Sequence, residues 1–170
     1  LGVLFNSISI SAKENKTNRK VSSDKVIQTE IVSGLGIPWG LSFLAPNRLL
    51  VSERHGQLKL VNLNNKSVTV ISGLPKIASF GQGGLLDIKL GPNYMRTGWI
   101  YVTYSKPVDK GAATTLARTK LNKHQVVNWQ DLLVTQSASS SGQHFGSRIA
   151  FDNKGHVFFS VGDRGDRDNG

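Results

Sequence analysis

An all-β fold, a β-propeller built of four-stranded antiparallel blades, is predicted by two features of this sequence. The first is a unit that restarts three times: "GLSFLAPNRLLVSE" from Gly40, "GLLDIKLGPNYMRTGWIYVTYS" from Gly84 and "GSRIAFDNKGHVFFSVGD" from Gly146. Each is a glycine, a strand of alternating apolar residues, a turn carrying asparagine, and a second apolar strand. The second feature is spacing: further β-rich runs follow each pair, so a unit reads as four strands with turns roughly every 8–12 residues, near the roughly 40–50 residues of a propeller blade. A sandwich of many short strands competes, but it has no reason to restart on the same glycine-led strand.

The elements follow in order. Residues 1–34 stand apart as an N-terminal tail: "LGVLFNSISISAKENKTNRK" passes from an apolar stub through small residues to a polar run. That is the pattern at the end of a secretory signal peptide, with a lead-in strand after it, although a ragged terminus with a stray apolar patch gives the same string. The first blade adds "GQLKLVNL" and "KSVTVISGL" to the Gly40 pair; the second adds "TTLARTKL" and "VVNWQDLLVTQ" to the Gly84 pair, with a loop around "KPVDKGAA" absorbing the extra length. The third stops after its second strand at Gly170, so residues 35–170 hold about two and a half blades and read as the N-terminal part of a longer propeller. No helix is required.

Composition narrows the function classes. A chain of 170 residues, 38% hydrophobic with 18 glycines, is globular and rich in turns. No apolar stretch reaches the roughly 18 residues of a membrane-spanning helix. Zero cysteines exclude a disulfide framework and thiolate metal sites. A net charge of +10 raises the question of an acidic partner. Yet Lys13, Lys16, Arg19 and Lys20 sit in the tail, and Lys106, Lys110, Arg118, Lys120 and Lys123 are dispersed without aromatic interleaving, so a solvated basic surface, not a nucleic-acid site, is expected.

The repeat register locates a candidate site. In a propeller the first strand of each blade lines the central channel, and the residues preceding it crowd around one axial mouth. Two residues before the unit glycines stand Pro38, Gln82 and His144, which puts Gln82 and His144 on the same rim. Polar groups converging on such a pocket suggest a ligand site, and imidazole is the side chain that takes a proton near neutrality. A hydrogen-bonded structural histidine is the competing reading. Gly83, Gly84, Gly142 and Gly146 would let backbone approach a flat ligand, or simply form tight turns. Arg148 is either a buried ion-pair partner or a strand-face residue. A hydrolytic site from Ser147, His144 and Asp152 lacks a nucleophile elbow.

These residues resemble a known family. "PWGLSFL", "LLVSERHGQL", "GQGGLLDIKLGPNY", "IYVTYS", "GQHFGSRIAFD" and "GDRGDRDNG", in that order from about Leu35 to Gly170, are similar to the quinoprotein sugar dehydrogenases, and more to the aldose sugar dehydrogenase branch than to soluble glucose dehydrogenase. The resemblance implies a propeller that is six-bladed when complete. It implies pyrroloquinoline quinone (PQQ) and Ca²⁺ as cofactors, an aldose sugar oxidised at C1, an external electron acceptor, and a periplasmic or secreted setting.

By the same resemblance His144 is the general base and touches the cofactor, Gln82 contacts cofactor or sugar, and Gln143 and Arg164 are placed at the sugar. The quinone-carboxylate and calcium ligands fall in later blades, so no metal ligand is assigned in this chain and the 170-residue stretch alone is expected to be inactive. One departure stands out: soluble glucose dehydrogenase has an aspartate immediately before its histidine, where this chain has Gln143, which brings no negative charge to His144. The aspartates of "GDRGDRDNG" read as calcium ligands or, without the EF-hand spacing, as a turn tied by hydrogen bonds. A non-catalytic extracellular binding propeller is the alternative function.

Overall fold

The computed structural model describes residues 27–169. The signal-peptide reading therefore lies largely outside the described residues, and residues 27–34 carry no regular element.

The order of elements follows the expected units. Strands β1 (Pro38–Ala45), β2 (Arg48–Glu53), β3 (Gln57–Asn62) and β4 (Val68–Ile71) pair in chain order as one antiparallel sheet. A second sheet has the same order: β5 (Leu85–Leu90), β6 (Ile100–Val108), β7 (Gly111–Asn122) and β8 (Gln125–Val134). A third begins with β9 (Ile149–Phe151) and β10 (Val157–Phe159). Two blades and the inner half of another are thus in place. Besides strands, the described residues hold one helical turn, α1 (Tyr94–Thr97), and a 3₁₀ turn, Arg167–Asn169.

Two local expectations are corrected. The Asn-bearing turn of the second unit is α1, closed by Gly98 in the left-handed conformation (φ 69°), whose N–H bonds the Tyr94 carbonyl. "KPVDKGAA" is not a long loop. β6 runs through Pro107 to Val108, which pairs with Gly111 across a two-residue hairpin. Beyond Tyr104, β6 has lost β5 as a neighbour and pairs only with β7, so the N–H that Pro107 lacks faces an open edge. The extra length of this blade lies in its long strands, 9, 12 and 10 residues in β6, β7 and β8.

The core lies between the first two blades. Leu50, Leu58, Leu60 and Ile71 of the first pack against Leu85, Ile88, Ile100, Val102, Tyr104, Ala117 and Val126 of the second. Strict alternation on β1 leaves Trp39, Leu41 and Phe43 exposed on its other face. The outer strands of the second blade are tied by Asp131, which accepts hydrogen bonds from Tyr104 Oη (2.9 Å), Trp129 Nε1 (3.0 Å) and Lys106 Nζ (2.8 Å). Burial pushes the Asp131 carboxyl up, but these three donors and the Lys106 charge outweigh it and hold it below the usual range.

A serine on or just after the second strand of each blade repeats one connection. Ser52 Oγ accepts from Gly40 N (2.9 Å) and donates to the Leu86 carbonyl of the next blade. Ser105 Oγ accepts from Gly84 N (2.5 Å) and donates to the Ala78 carbonyl (2.7 Å). Ser160 Oγ accepts from Ser147 N (3.0 Å). The rim end of every first strand is thereby pinned to the rim end of its second, and those strand ends carry the candidate site.

Adjacent inner strands are joined by buried Asp87 of β5. Its carboxylate accepts from Ile149 N (2.8 Å) and Arg148 Nη1 (3.2 Å) of the third blade. Arg148 is thus an ion-pair partner, with the aspartate end of the pair buried and the arginine largely exposed.

Gly84 sits so close to the preceding blade that a Cβ there would lie 1.7 Å from the Arg54 carbonyl oxygen. Gly84→Ala is expected to destabilise the full-length protein by about 3 kcal/mol or more, because backbone rather than a movable side chain must give way. The midpoint of urea unfolding checks this.

Candidate functional site

His144 lies in the segment between β8 and β9, at the rim from which β5 and β9 start. Its backbone is in the left-handed region (φ 50°), as are Ser147 (φ 116°) and Arg164 (φ 59°), an arrangement that non-glycine residues keep only where their surroundings hold it. Those surroundings are specific. The His144 backbone N–H donates to Gln82 Oε1 (2.8 Å), so the two residues placed together by register are in contact. Gln82 N in turn donates to the Gly142 carbonyl (2.7 Å).

On the ring, Nδ1 lies 2.6 Å from Asp163 Oδ1. The Asp163 carboxyl is held below the usual range by the Gly165 N–H and by His144 itself, with Arg167 adding to the effect. An ionised carboxylate only accepts, so Nδ1 carries the hydrogen and donates. In the neutral ring the lone pair is then on Nε2, and the side chain is 51% exposed at the rim. A histidine in that tautomer, with its far nitrogen open, is equipped to take a proton.

The chain reaches this arrangement through the hairpin geometry of the third blade. β9 leaves the rim and β10 returns to it, so the residues after Ser160 arrive beside His144. Gly162 lets them pass: a Cβ there would be 2.2 Å from the His144 carbonyl oxygen. In the sequence Asp163 reads as a calcium ligand or a turn residue, not as the partner of His144. The available signal is the serine recurring on or just after each second strand, at positions 52, 105 and 160, level with the start of the first strand beside it.

The remaining candidates are distributed as follows. Gln143 is exposed beside His144. Arg164 is not at the surface where a sugar contact was expected; it is 2% exposed, and its guanidinium is taken up by backbone carbonyls beneath the His144 segment. Gly83, Gly84, Gly142 and Gly146 pack against neighbouring protein atoms, the Phe145 ring and the backbone of Arg54, Gly81 and Ser160, so they serve contacts within the chain. Asp152 pairs with His156 (2.6 Å), and Ser147 is buried on Ser160, so the hydrolytic trio is not assembled. Asp163 and Asp166 cap turns, accepting from Gly165 N (2.8 Å) and Asp168 N (3.2 Å). Among the described residues no group of three or more metal-ligating side chains converges.

The glucose/sorbosone dehydrogenase family matches residues 35–170, the whole span of the blades and of this site. The chain belongs to that family. Among curated relatives it is 33% identical over 134 residues to an aldose sugar dehydrogenase of Escherichia coli, an alignment covering 76% of this chain and 36% of that protein. It is 26% identical over 155 residues to quinoprotein glucose dehydrogenase B of Acinetobacter calcoaceticus, covering 86% and 32%. The chain spans about a third of the length of these relatives.

Solved structures agree with the glucose/sorbosone dehydrogenase assignment. The soluble aldose sugar dehydrogenase of Escherichia coli in its apo form superposes with a TM-score of 0.74 at 32% identity, covering 79% of this chain and 40% of that one. The PQQ-bound aldose sugar dehydrogenase of Streptomyces coelicolor gives 0.71 at 26%, covering 84% and 42%. The described blades are therefore part of a β-propeller of this family.

Proposed function

We propose that the full-length protein oxidises the C1 hydroxyl of aldose sugars to the lactone, with His144 as general base. The observation that carries this reading is the Asp163–His144 hydrogen bond, which commits Nδ1 and leaves Nε2 to accept a proton, on a residue whose backbone N–H is held by Gln82.

The residues present suit a flat acceptor such as PQQ, the cofactor named for the Streptomyces coelicolor relative. Gln82 Oε1 is occupied by His144 N–H, which leaves the Gln82 amide N–H groups to donate to a quinone oxygen. When bound, PQQ would supply the two-electron acceptor for the C1 hydride, with Ca²⁺ as Lewis acid at its carbonyl. Ligands for that ion would come from outside residues 27–169.

The work of this chain is proton handling and orientation. His144 Nε2 takes the proton of the anomeric hydroxyl as the C–H bond breaks, and Asp163 stabilises the imidazolium so formed. Gln82 and Gln143 orient the sugar through hydrogen bonds. On this reading the enzyme is periplasmic or secreted and passes its electrons to an external acceptor. Among the described residues no helix is long and apolar enough to cross a membrane. A propeller used only to bind another protein has no need of a histidine held on a carboxylate at the channel mouth.

The test is reconstitution of the full-length protein with PQQ and Ca²⁺, followed by absorbance on adding a panel of aldoses. Aldose-dependent reduction of the bound quinone supports the reading; its absence with saturating quinone contradicts it. In that assay Gln143→Ala is expected to change the ranking of aldoses by up to about tenfold in kcat/KM, the worth of one hydrogen bond, with quinone affinity unchanged.

A further inference from the structure

Arg164 has the features of a group built for one task. It is 2% exposed, and its Cζ lies 3.6 Å from the centroid of the Phe145 ring. Nε donates to the Gln143 carbonyl (2.9 Å), Nη1 to the carbonyls of Ala112 (2.9 Å) and Ser137 (2.6 Å), and Nη2 to the carbonyl of Ser141 (3.0 Å). Among the described residues no carboxylate pairs with it. Burial disfavours its charge, and a cation buried on carbonyls alone is a costly way to stabilise a fold that an apolar side chain could fill.

What the guanidinium grips explains that expense. Three of its four acceptors, Ser137, Ser141 and Gln143, belong to the segment that delivers His144; the fourth, Ala112, anchors them to β7. The Gln143–His144 peptide is held on both sides, its carbonyl by Arg164 and its N–H by Gln82 Oε1. One residue before Arg164, Asp163 holds the ring of the same histidine. Only arginine presents donors in a fixed planar fork able to reach this many acceptors.

We propose that Arg164 is a positioning residue for sugar oxidation, clamping the 137–143 backbone so that the strained His144 presents Nε2 at the rim. The proposal rests on His144 being the base. A misplacement of the order of 1 Å at such a group costs up to about 10² in rate.

The test uses Arg164→Lys in the full-length protein, which keeps the charge and stem but not the fork. In the cofactor-free protein, the His144 Nδ1–H proton resonance should be downfield and slow to exchange. In Arg164→Lys it is expected to broaden or vanish while the backbone amide spectrum stays folded. In the reconstituted enzyme, kcat per quinone-loaded site should fall about 10- to 10²-fold, quinone affinity should change little, and the acid limb of kcat/KM should remain because the base is still there. A folded Arg164→Lys with the resonance intact and kcat per loaded site near that of the unsubstituted enzyme overturns the proposal. If Arg164→Lys does not fold, Phe145→Leu, which removes the ring under the guanidinium, must broaden the same resonance; an unchanged resonance is equally fatal. Loss of the resonance in a protein that never oxidises aldoses would sink the base assignment instead and leave the clamp standing.

Discussion

His144→Ala in the reconstituted full-length enzyme is expected to lower kcat by about 10²–10⁴, the usual range for loss of general-base catalysis, while quinone affinity changes little. The direction follows from what the side chain holds. Nδ1 is committed to Asp163, and the side chain's remaining exposed nitrogen makes no hydrogen bond to another described residue. Removing the ring therefore deletes the proton acceptor without releasing a strand. The backbone N–H that bonds Gln82 remains in the alanine variant. The φ of 50° is the one structural risk. His144→Asn, which tolerates that conformation better, should fold at least as well and lose as much rate. Steady-state turnover and a quinone titration of each variant check this.

Asp163→Asn is expected to come next in size, with a kcat loss approaching that of His144→Ala. The substitution keeps shape and volume but adds a donor. An asparagine amide N–H facing Nδ1 favours the tautomer whose hydrogen is on Nε2, which blocks the nitrogen that must accept the sugar's proton. The same inversion of tautomer in a serine-protease triad costs about 10⁴ in kcat, which sets the upper bound. The carboxylate also has a pH signature. Its folded-state pKa is lowered, first by Gly165 N–H and then by His144. Its contribution to stability is therefore present above the range where an unpaired aspartate titrates and is lost as pH falls through the lowered value. Asp163→Asn should be less sensitive to acid over that window, which thermal melts at several pH values would reveal.

The periodic part of this protein was legible and the site only half so, for reasons that particular residues make clear. Gln82 and His144 could be paired from the sequence because a repeat fixes which residues share a rim. Asp163 could not be assigned by adjacency: its contact with His144 depends on where the β9–β10 hairpin returns, and on Gly162 letting that strand end pass the His144 carbonyl. The carboxylate that Gln143 fails to supply thus comes from Asp163, 19 residues after His144.

The resemblance places Arg164 at the sugar, but the carbonyls of Ser137, Ser141 and Gln143 in the irregular segment need donors, and one fork meets them together with the Ala112 carbonyl of β7. "KPVDKGAA" read as a loop from its composition. Pairing overrode that, since Pro107 sits where its missing N–H costs the ladder nothing.

The central claim is that a neutral His144, held on Asp163, takes the proton in sugar oxidation. The pH profile of kcat/KM for aldose, compared between the reconstituted enzyme and His144→Ala, tests it most directly, because a base that must be unprotonated in the free enzyme imposes an acid limb. The account predicts a limb falling one decade per pH unit in the unsubstituted enzyme and a flat acid side in His144→Ala. An acid limb that survives the substitution unchanged, with turnover near normal, would contradict it.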